Sequence, residues 1–250
     1  MKYIESRQNP EIKAVYSLRK ADARKEQQAF IAEGERTCTT LIKAGAHLRA
    51  LYLTQEHVEH FLHYVKEKDI CVVSPRVMEK ISQTVTPSGI LGIFSIPKPP
   101  SPDMIDKGIV LAQISDPGNI GTLIRTCAAI NISCVVIIGG ADPWSFKVVQ
   151  ATAGYITHLS LFQLTIPKLL EVVTKKELNL AALVVSAGKK PEFLKKEKTL
   201  LVVGSEAHGI PKDLYAKCHE HITLPMPGNI ESLNVAVAGS IALYLTFVQK

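Results

Sequence analysis

Residues 109–128 read Ile-Val-Leu-Ala-Gln-Ile-Ser-Asp-Pro-Gly-Asn-Ile-Gly-Thr-Leu-Ile-Arg-Thr-Cys-Ala, an apolar run, a Pro-Gly turn, then apolar residues at helical spacing. Ile109 to Ile114 predict a buried strand. Ile120, Leu123, Ile124, Cys127 and Ala128 recur at i, i+3, i+4, i+7 and i+8, so a helix starts at the turn and packs its stripe on the sheet. Arg125 lies off that stripe and points toward solvent, a partner chain or a ligand. Further runs at Cys134 to Ile138, Leu180 to Val185, Leu200 to Val203 and Ile222 to Leu224 alternate with helical stretches, which predicts a parallel sheet wrapped by crossover helices. Gly118-Asn119-Ile120-Gly121 has neither the G-x-G-x-x-G spacing nor a Walker lysine, which weighs against nicotinamide and nucleoside triphosphate ligands.

Upstream, Pro97-Lys98-Pro99-Pro100-Ser101-Pro102 places four prolines in six residues, stiffening the backbone and removing amide donors. The expected organisation is therefore a first domain at 1–96, a linker at 97–102 and a second domain at 103–250. Before the linker, basic helical sequence around residues 10 to 28 precedes strand-like runs at Phe30-Ile31-Ala32, Leu51-Tyr52-Leu53 and Cys71-Val72-Val73. That pattern is a smaller α/β domain.

The chain has 250 residues, 46% apolar and 21% charged, which excludes disordered and fibrous classes. The first residues lack the apolar stretch of a secretion signal, and the run Leu233 to Val248 falls short of the roughly 20 residues a bilayer requires. A cytoplasmic protein with no membrane partner is expected. Five scattered cysteines form no C-x-x-C pair, so reduced, mostly buried thiols are expected and neither a disulfide framework nor a metal site. The net charge is +6, concentrated in two stretches. Residues 1 to 25 hold seven cations (Lys2, Arg7, Lys13, Arg19, Lys20, Arg24, Lys25) against three acids, and residues 168 to 198 hold eight lysines against four glutamates. These are either phosphate-facing surfaces or solvated helix faces.

Two more turns follow apolar strands. Val203-Gly204-Ser205-Glu206-Ala207-His208-Gly209 carries two glycines that let the backbone approach a ligand, with Glu206 in its mouth. Leu224-Pro225-Met226-Pro227-Gly228-Asn229-Ile230-Glu231-Ser232-Leu233-Asn234 leads into a final helix that is apolar nearly all round and is expected to be buried. Ser232 and Asn234 at its start then need partners through capping, a ligand or a subunit contact. All three turns fall at carboxyl ends of strands, where open α/β sheets bind ligands.

In this order, the three segments resemble the motifs of the SpoU (TrmH) family of RNA ribose 2′-O-methyltransferases, within the SPOUT superfamily. The first motif is matched by Asp116, Asn119, Gly121, Arg125 and Thr126, the second by Gly204, Glu206 and Gly209, and the third by Pro225, Met226, Gly228, Glu231, Ser232, Leu233 and Asn234. Asp142 to Lys147 with Ala151 to Gly154, and the early residues Ser6, Asn9, Pro10, Phe30, Glu33, Gly34 and Glu35, resemble further family segments. The resemblance implies S-adenosylmethionine as methyl donor, RNA as acceptor, a homodimer and a deep trefoil knot in the second domain, and the separate first domain with cations clustered at its start favours ribosomal before transfer RNA. The resemblance also implies that Gly204, Glu206, Leu224, Met226, Ser232 and Leu233 hold the donor. It further implies that Arg125, Asn119, Glu206, Ser232 and Asn234 serve catalysis or build the site across the dimer interface. A guanidinium is a poor base in water, so Arg125 is read as orienting an RNA phosphate and stabilising the developing oxyanion.

The chain departs from the family at Ala207-His208, Phe146 and Gln150, which touches substrate identity more than methyl transfer. His57, His60 and His63 are read as a solvated helix side, His219 and His221 as strand-edge residues, and Trp144 and Tyr155 as packing under a loop. The rival readings are a noncatalytic RNA-binding protein that keeps the fold, and a metabolic enzyme with a nucleotide cofactor.

Overall fold

The computed structural model describes residues 1–194, 197–228 and 230–248. Two compact units emerge, Met1–Lys98 with Asp142–Thr157, and Pro99–Ala141 with His158–Lys250. In chain order the elements begin β1 (Lys2–Ile4), α1 (Pro10–Ser17), α2 (Ala21–Gln27), β2 (Ala29–Glu33), α3 (Glu35–Lys43), β3 (Leu48–Leu53), α4 (Val58–Phe61), β4 (Ile70–Val73), α5 (Pro75–Ile81) and β5 (Ile90–Ser95). They continue β6 (Gly108–Ala112), α6 (Pro117–Ala129), β7 (Cys134–Ile138), α7 (Phe146–Ala151), β8 (Ser160–Gln163), α8 (Ile166–Lys176), β9 (Asn179–Leu183), β10 (Thr199–Gly204), α9 (Lys212–Tyr215), β11 (Glu220–Ile222) and α10 (Val235–Phe247).

The sheet of the first unit has the order β1-β4-β3-β5-β2, with β5 antiparallel to both its neighbours and the other pairs parallel. Ile12 and Val15 of α1 and Val77, Met78 and Ile81 of α5 bury against Ile31, Tyr52, Val73 and Leu91. The basic helical sequence expected around residues 10 to 28 forms two helices, α1 and α2. Arg24 explains the break: it is buried, and Nη1 donates to the carbonyls of Leu18 (2.8 Å) and Arg19 (2.9 Å), the groups a continuous helix would have used. Its other nitrogens bind Asp142 Oδ2 at 2.6 and 2.9 Å, and the Trp144 ring lies 5.0 Å from Phe30, so Asp142–Thr157 packs with this unit.

Arg24 is therefore a structural cation. Of the other six cations in residues 1 to 25, Lys2 pairs with Glu11, Arg7 with Glu79 and Arg19 with backbone carbonyls, while Lys13, Lys20 and Lys25 are exposed. The lysine-rich stretch near the other end of the chain is also partly spoken for. Lys168 pairs with Glu171 (2.8 Å), Lys175 with Asp103 (2.8 Å) and Lys189 with Glu220 (3.4 Å), as on an ordinary solvated face.

In the second unit the order is β11-β9-β10-β6-β7-β8 and every pair is parallel. Val110, Val136, Leu180, Leu200 and Val202 of the strands bury against Leu169, Val172 and Val173 of α8. On another side α10 packs on α6, β10 and the turn Pro191–Phe193. It is not buried all round, as its composition suggested. Ala236, Gly239, Ala242, Leu243 and Thr246 face inward, while Val237, Ile241, Tyr244 and Val248 stay 38 to 53% exposed at i, i+4, i+7 and i+11. The described residues of one chain supply neighbours for only one side of this helix. No helix among the described residues is long and apolar enough to cross a membrane.

All five cysteines are free thiols, four buried and Cys218 partly so. Burial pushes Cys38 and Cys127 up to about 12 and Cys71, Cys134 and Cys218 up to about 11.

Candidate active site

The turn after β6 is built from its own sequence. Asp116 takes extended backbone and its Oδ1 accepts from Asn119 N at 2.9 Å, capping α6, while Pro117 occupies the first helical position where no amide is needed. Ile120, Leu123, Ile124 and Cys127 bury, as the stripe predicts, and Arg125 is left exposed. The Arg125 guanidinium has no ion pair among the described residues.

After β10 the chain folds back on itself. Ser205 N donates to Gly209 O (3.1 Å) and Gly209 N to Ser205 O (2.8 Å), with Gly209 at φ 66°. A Cβ on Gly204 would stand 2.1 Å from the Gly209 carbonyl carbon, so only glycine permits this closure. His208 N donates to Ser205 Oγ at 3.3 Å, and the His208 side chain is exposed. At the head of α10, Asn234 Oδ1 accepts from Ala236 N (2.9 Å) and Val237 N (3.2 Å). The Asn234 amide also donates to Asn119 Oδ1 at 3.1 Å, and Asn119 Nδ2 donates to Glu206 Oε1. One chain of amides thus ties the first, second and third turns together.

The second and third turns border a cavity of about 340 Å³. Gly204, Glu206, Leu224, Met226, Ser232 and Leu233, the expected donor-binding residues, line it, and so does Asn234. Asn119 reaches it through its bonds to Glu206 and Asn234, whereas Arg125 does not line it. The sequence reading missed Leu183, Val184 and Val185, which line the cavity at the carboxyl end of β9. Their signal was available: they end the predicted strand Leu180 to Val185, and Ser186-Ala187-Gly188 after it is a fourth glycine-bearing segment. Apolar lining residues (Leu183, Val203, Leu224, Leu233, Ala238) together with polar ones (Ser205, Glu206, Ser232, Asn234) suit a ligand that is part apolar and part polar.

The remaining histidines and aromatics are structural or solvated. His60 and His63 are exposed, His60 pairing with Glu35 at 2.9 Å, and His57 ends a 3₁₀ turn before the short α4. Among the described residues no three His, Cys, Asp or Glu side chains group as metal ligands would. His219 Nδ1 accepts from Leu180 N at 3.0 Å beside the edge strand β11. Trp144 is buried. Gln150 donates to the Glu33 carbonyl at 2.9 Å, and Phe146 packs on the core of the first unit.

Residues 107–244 match the SpoU rRNA Methylase family and residues 9–92 the MRM3-like substrate binding domain. The chain is 29% identical over 251 residues to an uncharacterized tRNA/rRNA methyltransferase of Synechocystis, covering 96% of this chain and 92% of that protein. It is 26% identical to the 23S rRNA (guanosine(2553)-2′-O)-methyltransferase RlmP of Bacillus subtilis, over 98% of each. Among solved structures, a putative RNA methyltransferase of the TrmH family from Porphyromonas gingivalis superposes with a TM-score of 0.85 at 28% identity, covering 97% of this chain and 99% of that one. An AdoMet-bound rRNA methyltransferase from Sinorhizobium meliloti shares the fold, with a TM-score of 0.87 at 24% identity over 98% of this chain and 97% of that one.

Proposed function

Because the chain belongs to the SpoU rRNA methylase family, we propose that it transfers a methyl group from S-adenosylmethionine to a ribose 2′-hydroxyl of RNA, ribosomal RNA before transfer RNA. The observation that carries this reading is the cavity at the carboxyl ends of β9, β10 and β11, closed by the amide chain Asn234–Asn119–Glu206. When bound, the donor supplies a methyl carbon on a sulfonium, which already leaves well. The protein's own work is then to hold the acceptor in line and to stabilise its 2′-oxygen while the hydroxyl proton passes to solvent water.

Each residue has a part in that work. The glycine turn Gly204–Gly209 and the apolar side chains of Leu183, Leu224 and Leu233 grip the adenosine end, and Ser232 and Glu206 face the polar end. Asn119 and Asn234 fix the direction of the Glu206 carboxylate. Arg125 orients an RNA phosphate and stabilises the charge that develops on the 2′-oxygen. Since Arg125 lies off the cavity of its own chain, we assign it to a cavity shared between two copies. The exposed stripe Val237, Ile241, Tyr244 and Val248 is the surface that a homodimer would bury. Residues 1–96 hold the RNA and 103–250 carry out the transfer, in the cytoplasm. The trefoil knot belongs to the same reading; α10 packs on the turn Pro191–Phe193.

Preference for ribosomal RNA is supported by the RlmP relative and by the match to a substrate-binding domain. The test is incorporation of labelled methyl groups into total RNA, followed by mapping of ribose methylation in cells with and without the protein. Incorporation at a 2′-oxygen of one ribosomal position is expected. Donor binding without incorporation would leave a noncatalytic RNA-binding protein instead.

A further inference from the structure

Tyr16, Arg19 and Lys80 of the first unit form a cluster that methyl transfer does not use. The Arg19 guanidinium carbon lies 4.4 Å and Lys80 Nζ 4.3 Å from the centroid of the Tyr16 ring. Two like charges are thus gathered on one aromatic side chain. Neither has a carboxylate within ion-pair distance among the described residues. The nearest acid in sequence, Glu79, is taken by Arg7 at 2.7 Å. Arg19 is partly accounted for, since Nη2 donates to the carbonyls of Lys80 (3.3 Å) and Ser82 at the end of α5. Lys80 Nζ has no such acceptor among the described residues.

The surroundings extend the positive surface. Lys13 is one turn from Tyr16 on α1 and Arg76 one turn from Lys80 on α5, and both are exposed, as is Lys20. The two helices pack on each other, so these cations share one side of the unit. Next to them, the loop from Ser82 is pinned from below by buried Glu33, whose oxygens accept from Ser82 Oγ (2.6 Å), Thr84 Oγ1 (2.8 Å) and Gln83 N (3.0 Å), and it carries the fully exposed Val85.

We infer that Arg19 and Lys80, seated on Tyr16, form a site for the phosphate backbone of RNA. Each cation keeps donors that no carboxylate among the described residues takes up, and a guanidinium fork and an ammonium are both groups from which a phosphodiester oxygen accepts. This rests on the RNA-methylation reading, which makes the polyanion an RNA. Phosphate contacts do not depend on base sequence, so an arbitrary RNA serves as the probe.

The experiment compares the intact protein with Lys80→Gln and with the double variant Arg19→Gln/Lys80→Gln, binding a fluorescein-labelled RNA stem-loop at several salt concentrations. Each lost phosphate contact should flatten the slope of log affinity against log salt by about 0.7 to 0.9, so the double variant should lose about twice the single variant's change. Calorimetric binding of S-adenosylmethionine should be retained in both. Lys80→Gln removes no hydrogen bond to the protein, so it reads the site even if loss of Arg19 unfolds the end of α5. An unchanged slope in Lys80→Gln overturns the inference alone. A wild-type protein with no salt-dependent RNA binding overturns both this and the RNA reading. Loss of binding to phosphatidylserine vesicles with the RNA isotherm intact also overturns it, in favour of a membrane surface.

Discussion

Glu33 and Glu206 show how differently the two units use one residue type. Glu33 ends β2, is 1% exposed, and its carboxylate accepts three hydrogen bonds from Ser82, Gln83 and Thr84. Glu206 stands exposed in the turn after β10 and is held by one amide, that of Asn119. The arginines repeat the contrast: Arg24 is buried among two carbonyls and Asp142, while Arg125 is exposed without an ion pair among the described residues. A buried charge whose bonding capacity is used up holds a fold together. A charge at the mouth of a cavity with capacity left over can meet a ligand.

This contrast can be broken first at Arg24. Arg24→Ala strips Asp142 and two carbonyls of their partner, and the unfolding free energy should drop by about 3 kcal/mol, as for other buried pairs missing one member. A urea titration showing a loss under about 1 kcal/mol would mean that the pair is replaceable by solvent. Arg125→Ala should do the reverse. Turnover should fall by about a hundredfold or more, roughly 2.7 kcal/mol in the barrier, with stability and donor affinity nearly unchanged. Equal loss of donor binding and single-turnover rate would remove Arg125 from its assigned part.

Asn234 lies between these extremes, being both cap and site residue. Asn234→Ala should cost about 1 kcal/mol of stability, the usual loss for a helix cap, and should also weaken donor binding through Asn119. Thermal melting together with calorimetry separates the two parts, and a change in stability alone would leave Asn234 merely structural. The smallest effect belongs to the thiols. At pH 8 the folded protein should react slowly with Ellman's reagent, Cys218 first as the one partly exposed cysteine. Because the folded values are raised above the usual 9.0 to about 11 or 12, thiol burial contributes fully below about pH 9 and is lost as pH climbs toward those values. Urea midpoints that stay flat from pH 8 to above pH 10 would contradict the raised values.

Much of the fold was legible because buried parallel strands write themselves as unbroken apolar runs. Cys134 to Ile138 is a strand over those same residues, and Ile109 to Ile114 overlaps β6 closely. β1, β5 and β8 escaped notice because three residues, a glycine-interrupted run and Ser160–Gln163 carry little periodicity. The basic stretch at 10 to 28 misled for another reason. A charge count cannot tell a solvated arginine from one such as Arg24 that caps a helix from inside. The α10 composition likewise gave no sign of which face would lack neighbours.

By itself the sequence determined the strand–turn–helix alternation, the glycines that let the Gly204–Gly209 turn close, and the caps at Asp116 and Asn234. Those features depend on neighbours a few residues away. Only the tertiary structure decided that Asn119, Glu206 and Asn234, far apart along the chain, join through side-chain amides around one cavity, that Val184 and Val185 wall it, and that Arg125 stays outside it. Such contacts arise from the order in which parallel strands lie side by side, and strand order leaves no local imprint on the residues it brings together.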